Sequence, residues 1–92
     1  ILNTLALNEY EIANWDVNIF PNPSRDFLNI TVNGSQSKDI KYTIMNTLGK
    51  IIYQQNGTSK RHQINIENLS SGNYFLILEQ DNYLTSKEFV KL

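Results

Sequence analysis

Tyr74-Phe75-Leu76-Ile77-Leu78, entered from Gly72-Asn73 and left through Glu79, is the stretch that decides the fold. It is apolar on both of the faces that a strand would present, which suits a central strand covered on both sides. Upstream of it, Arg61 to Ile66 alternates, with His62, Ile64 and Ile66 on one face, and passes through Asn68 to Ser71. Downstream, Asp81-Asn82 turns the chain into Leu84 to Val90.

The same grammar runs through the rest of the chain. Asp16 to Phe20 reads as a first strand, stopped by Pro21 and Pro23, the two prolines present. Each fixes its own φ and biases Phe20 and Asn22 toward extended backbone. Asp26 to Val32 puts Leu28, Ile30 and Val32 on one face, and Asp39 to Met45 puts Ile40, Tyr42 and Ile44 together. Asn46 to Gly49 turns the chain into Lys50 to Gln55; Gly49 suits the left-handed position of a bulged turn, and the Asn46 side chain suits a bond to the turn backbone. Asn56-Gly57 marks the next turn. About seven short strands at roughly 8 to 12 residue spacing predict an all-β, immunoglobulin-like antiparallel β-sandwich. Leu28, Ile30, Ile44, Ile64, Ile66, Leu69, Tyr74 and Leu76 are its expected core. Ile1 to Trp15 lacks this pattern: Leu2, Leu5, Ala6 and Ile12 fall roughly on one face of a helix that Asn3, Asn8 and Asn14 weaken, and the stretch reads first as a linker from an upstream domain, so the domain is expected to span Asp16 to Leu92.

Composition narrows what such a scaffold can do. With 92 residues, one small core is the natural reading. Eight basic and nine acidic residues are mixed along the chain for a net charge of -1, which leaves no electrostatic footprint for nucleic acid or an anionic membrane. The absence of cysteine removes disulfides and thiolate chemistry. Thirteen asparagines favour turns over helix interiors.

Candidates for chemistry are few. His62, the one histidine, sits in strand alternation and reads as a packed residue; no cysteine or carboxylate cluster offers metal-ligand spacing, and no cofactor is implied. Asp39 with Asp81, or Glu9 with Glu11, would need a substrate cleft that nothing predicts, and no serine lies in a G-x-S-x-G elbow. The sequons at Asn29, Asn33, Asn56 and Asn68 read first as turn and strand asparagines. Trp15, Tyr10, Tyr42, Tyr53 and Tyr83 serve core packing or, in the other reading, a sugar-stacking platform. The expectation is a non-enzymatic domain.

The order of the punctuation carries a resemblance. Ile19-Phe20-Pro21-Asn22-Pro23 followed by Phe27-Leu28-Asn29-Ile30, then Ile44-Met45-Asn46-Thr47-Leu48-Gly49-Lys50-Ile51-Ile52, then Ile64 through Leu69-Ser70-Ser71-Gly72-Asn73-Tyr74, and finally Lys87-Glu88-Phe89-Val90-Lys91-Leu92 resemble, in sequence, the blocks of type A C-terminal sorting domains of the type IX secretion system. Asn46 departs from the family's usual Asp. The resemblance implies a sandwich that follows cargo in the same chain through the periplasm, is recognised by the outer-membrane translocon, and is cut off by a sortase-like cysteine peptidase. The cargo then reaches the cell surface or the medium. Pro21, Asn22 and Pro23, together with Lys87, Phe89, Val90, Lys91 and Leu92, are the candidate recognition residues; Asn46, Gly49, Gly72 and Tyr74 form the candidate structural turn motif. The competing expectation is a carbohydrate-binding or fibronectin-like adhesion module.

Overall fold

The structure, a computed structural model, describes residues 11–35, 39–58 and 60–92, so Ile1 to Tyr10 of the expected linker lie outside the described residues. Eight strands follow in order: β1 Glu11–Ile12, β2 Asp16–Phe20, β3 Phe27–Asn33, β4 Ile40–Asn46, β5 Ile51–Gly57, β6 Arg61–Asn65, β7 Gly72–Gln80 and β8 Tyr83–Lys91. The last seven are the strands that the alternation predicts, shifted by two residues at most at nearly every end.

β2, β3 and β6 form one sheet in the order β2-β3-β6, and the other runs β1-β8-β7-β4-β5. Each hairpin keeps to its own sheet, while the chain crosses between sheets after β1, β3, β5 and β6, which makes a Greek-key sandwich of the immunoglobulin-like kind. Inward residues sit opposite one another across the ladders: Ile19 with Ile30, Leu28 with Ile64, Ile44 with Leu76, Tyr42 with Leu78, and Tyr74 with Phe89. These close one core in which Leu28, Tyr42, Ile44, Leu76 and Leu78 are fully buried and against which Leu69 is half-buried.

β7 lies between β4 and β8, inside its sheet. Its cover differs from the expectation of burial on both faces. Tyr74, Leu76 and Leu78 are buried, whereas Phe75 and Ile77 are half-buried on the outer face. Only one face meets the second sheet; on the other, Phe75 is shielded by its cross-strand neighbour Met45, which in turn lies opposite Ile51.

The packed body takes in residues ahead of Asp16. β1 runs parallel to the start of β8, with Glu11 opposite Tyr83 and Ile12 opposite Leu84. The Glu11 N–H donates to Asn82 O (2.8 Å) and the Ala13 N–H to Leu84 O (2.9 Å). Ala13 is buried and Trp15 packs against the core. Hydrogen-bonding the otherwise bare edge of β8 is the physical reason that this piece docks.

His62 is half-buried, with its ring turned inward. Its ring stacks on Tyr42, centroids 4.3 Å apart and 8° from parallel, and so ties β6 to β4 across the core. Gly57 makes room for the pair: a β-carbon there would lie 3.0 Å from His62 Nδ1 and 3.2 Å from Tyr42 Cε2. Burial lowers the His62 pKa from its ordinary 6.5, so the unfolded chain takes up a proton that the folded chain resists. The stability tied to neutral His62 is therefore complete above about pH 6.5 and is lost as the pH falls from there through the lowered folded value. Urea midpoints measured from pH 8 to pH 5 should fall, and His62→Phe should flatten that fall; an unchanged slope in the variant would contradict this placement.

Candidate functional site

The chain brings the proline corner and the last strand together. After Phe20, Pro21-Asn22-Pro23 bends across the free edge of β8, with both X-Pro bonds cis. The Val90 N–H donates to Asn22 Oδ1 (3.0 Å) and Asn22 Nδ2 donates to Glu88 O (3.4 Å), so one side-chain amide does there what a neighbouring peptide group would do. Ser24 continues the pairing through its backbone: its N–H donates to Val90 O and its C=O accepts from the Leu92 N–H, both at 2.8 Å. Ser24 is fully buried, forms an isolated bridge with Lys91, and its hydroxyl donates to Pro21 O.

This accounts locally for the residue types. A sheet edge leaves unpaired N–H and C=O groups, and β1, Asn22 and Ser24 satisfy them at separate points along β8. Replacing Asn22 with Ala removes both amide bonds while leaving the strand groups open to water, so the expected cost is about 1 kcal/mol by urea denaturation. Asn22→Asp keeps the acceptor and should fall between the two.

The candidate recognition residues divide by exposure. Phe89 and Lys91 face inward, at 1% and 8% exposed, which corrects the expectation that they are available to a partner. Phe89 fills the core against the Tyr74 ring, 5.6 Å away, and Lys91 Nζ donates to the Leu92 main-chain oxygen (2.8 Å). Pro21, Asn22, Pro23, Lys87, Val90 and Leu92 are exposed. Pro21, Pro23, Arg25, Asp26, Phe27 and Leu92 line an open groove of about 440 Å³ that runs up to Asn29 and Gln63. Corner and tail thus share one surface.

Of the turn-motif residues, Gly72 and Tyr74 pair with the last strand, whereas Asn46 and Gly49 lie at the β4–β5 turn. Gly72, at φ +150°, pairs with Lys91, and Tyr74 pairs with Phe89 on one side and Asn46 on the other. The Tyr74 hydroxyl donates to Ser70 O (2.7 Å) and fixes the approach to β7. At the β4–β5 turn, Asn46 Oδ1 accepts from the N–H groups of Leu48 (3.0 Å) and Lys50 (2.9 Å), and Gly49 takes φ +87°, where a β-carbon is disfavoured.

Two contributors escaped the sequence reading. Ser24 holds the corner to the last strand, and Asn29 fixes its entry by donating to Phe20 O (3.1 Å) while accepting from Gln63 Nε2 (2.9 Å). A serine directly after Pro-Asn-Pro was the available signal. Of the aromatic set weighed as a sugar platform, Tyr42 is buried, Trp15 and Tyr53 are half-buried against the core, and Tyr83 is exposed; Tyr10 lies outside the described residues. Among the described residues, no group of three or more His, Cys, Asp or Glu side chains is placed to hold a metal ion.

Against solved structures, the fold is similar to part of PorZ, titled an essential bacterial surface component of the type-IX secretion system of Porphyromonas gingivalis. The TM-score is 0.65 at 20% identity over 83% of this chain, which spans 11% of that protein. No curated protein matches the chain. A family model described as the secretion system C-terminal sorting domain matches residues 18–92, from the middle of β2 through the whole of β8. With the proline corner, the glycine turns and the last strand all inside that match, the chain belongs to the family of type IX secretion C-terminal sorting domains.

Proposed function

We propose that this domain carries an upstream cargo protein, joined to it in the same chain, across the periplasm to the type IX translocon in the outer membrane. The family match over residues 18–92 carries the sorting reading. The docked corner supports the finer one: Pro21, Asn22 and Pro23 present a fixed surface beside Val90 and Leu92, with exposed Lys87 farther along β8, independent of any cargo fold. A partner can read that surface on a folded domain. Phe89 and Lys91 act behind it, holding the strand in place.

A sortase-like peptidase then separates cargo from domain. Proteolysis needs an extended chain that can enter a protease cleft, and the docking of Glu11 to Trp15 favours a cut ahead of Glu11, in the linker or upstream of Ile1. The cargo is delivered to the cell surface or the medium. The test is a fusion of this chain behind a folded reporter in a host with a working type IX system, with the new N-terminus of the separated domain read by mass spectrometry. A start at or before Glu11 is expected. A start within Asp26 to Leu92 would contradict the account.

A further inference from the structure

The edges of the sandwich are guarded at every strand but one. β1 is two residues long; β2 carries Asp16 and runs into two prolines; β6 is five residues long, with Arg61 in it and Lys60 before it. The edge of β8 is covered at its two ends, by β1 and by the Asn22 amide with Ser24, and carries Lys87 between them. β5 differs. Ile51-Ile52-Tyr53-Gln54-Gln55-Asn56-Gly57 contains no charge and no proline, pairs with β4 on one side, and among the described residues has no strand on the other. Its irregularity is confined to the Ile44/Met45 end, so Tyr53 to Gly57 stay in regular register. Ile51 is 54% exposed, and Leu48 in the turn before it 90%.

Such an edge specifies its occupant. Outward N–H and C=O groups at strand spacing are satisfied in register by another extended backbone. From Ile51 to Gly57 β5 carries no charge, and its charged neighbours, Lys50 before it and Lys41 opposite Asn56, are both basic, so a basic incoming strand would be opposed, whereas apolar side chains would extend the outer row of Ile51, Met45 and Phe75. Pairing seven residues is a small contact against the roughly 1,200 Å² that stable interfaces bury, which suits a partner met transiently during export rather than a lasting dimer with a second copy. We propose that the free edge of β5 is a docking edge, on which an extended, uncharged segment of the export machinery lies down as a sixth strand of the large sheet. This rests on the sorting reading above.

The test uses the reporter fusion in a competent host, in three forms: unaltered, with Ile52→Lys and Gln54→Lys on the β5 edge, and with Asn14→Lys and Asn18→Lys, which add the same charge at exposed positions elsewhere. Lysine on an edge strand opposes pairing, so the edge variant should show export reduced about tenfold or more while the other two are exported alike. Urea midpoints confirm folding, and Gln54→Lys alone replaces the pair if the pair proves unstable. Equal export of all three overturns the docking edge and leaves the sorting reading intact. Loss of export in both lysine variants overturns it too, by showing that charge alone decides. A wild-type chain that sediments as a dimer, made monomeric by the edge lysines without change in export, assigns the edge to a second copy and overturns the proposal. Retention of the unaltered fusion is the failure of the sorting reading itself, and the docking edge falls with it.

Discussion

Replacing Leu76 with Ala lowers stability by about 2 to 5 kcal/mol, read as a shift of the urea midpoint at constant slope. Leu76 is fully buried at the centre of β7, opposite Ile44, where no water can fill the space left behind. A domain of this size has roughly 5 to 15 kcal/mol in all, so the variant sits near the edge of folding. The outer face of the same strand gives the contrast. Ile77, one residue on, is half-buried, and Ile77→Ala should cost distinctly less. Equal costs at the two positions would contradict the placement of the core.

Removing Lys87 to Leu92 has the larger effect. In the structure they supply Phe89, whose truncation alone is worth about 3 to 5 kcal/mol in a core, and the main-chain partners of Asn22 and Ser24. They also form five of the nine residue pairs that β8 makes with β7, from Gly72–Lys91 to Leu76–Lys87. The truncated domain should be unfolded by circular dichroism at 25 °C, and its export would fail for that reason alone. Recognition is therefore separated from folding by changes at exposed Val90 and Leu92, which leave Phe89 in place. A cooperative unfolding transition in the truncated domain would show that β8 contributes far less than its burial indicates.

The strands were legible because alternation and burial coincide: Leu28, Ile30 and Val32 in β3, and Ile40, Tyr42 and Ile44 in β4, announce one buried face each. Asn46 and Gly49 were equally readable, since a turn that needs a positive φ and a side-chain acceptor leaves few residue choices. Three things were not. The apolar run of β7 looks the same whether its second face meets another sheet or only its neighbours Met45 and Thr43, because periodicity reports hydrophobicity and not what covers it. β1, two residues long, has no period to detect. The clamp between Asn22 and Val90 spans 68 residues, and a lone asparagine between prolines carries no mark of where its amide will bond. The division of the tail into a buried Phe89 and an exposed Val90 depends in turn on the register with β7, where Tyr74 faces Phe89 and Asn73 faces Val90.

Whether this folded domain is the address that sends its cargo out is decided by the location of a reporter fused ahead of it. Cells with a working type IX system and cells lacking its translocon express the same fusion, each with a periplasmic entry signal, and reporter activity is divided among periplasm, cell surface and medium. Surface and medium activity is expected in the first host and periplasmic retention in the second, with the reporter folded in both. Periplasmic retention of a folded fusion in the competent host, or equal release from the two hosts, would contradict it.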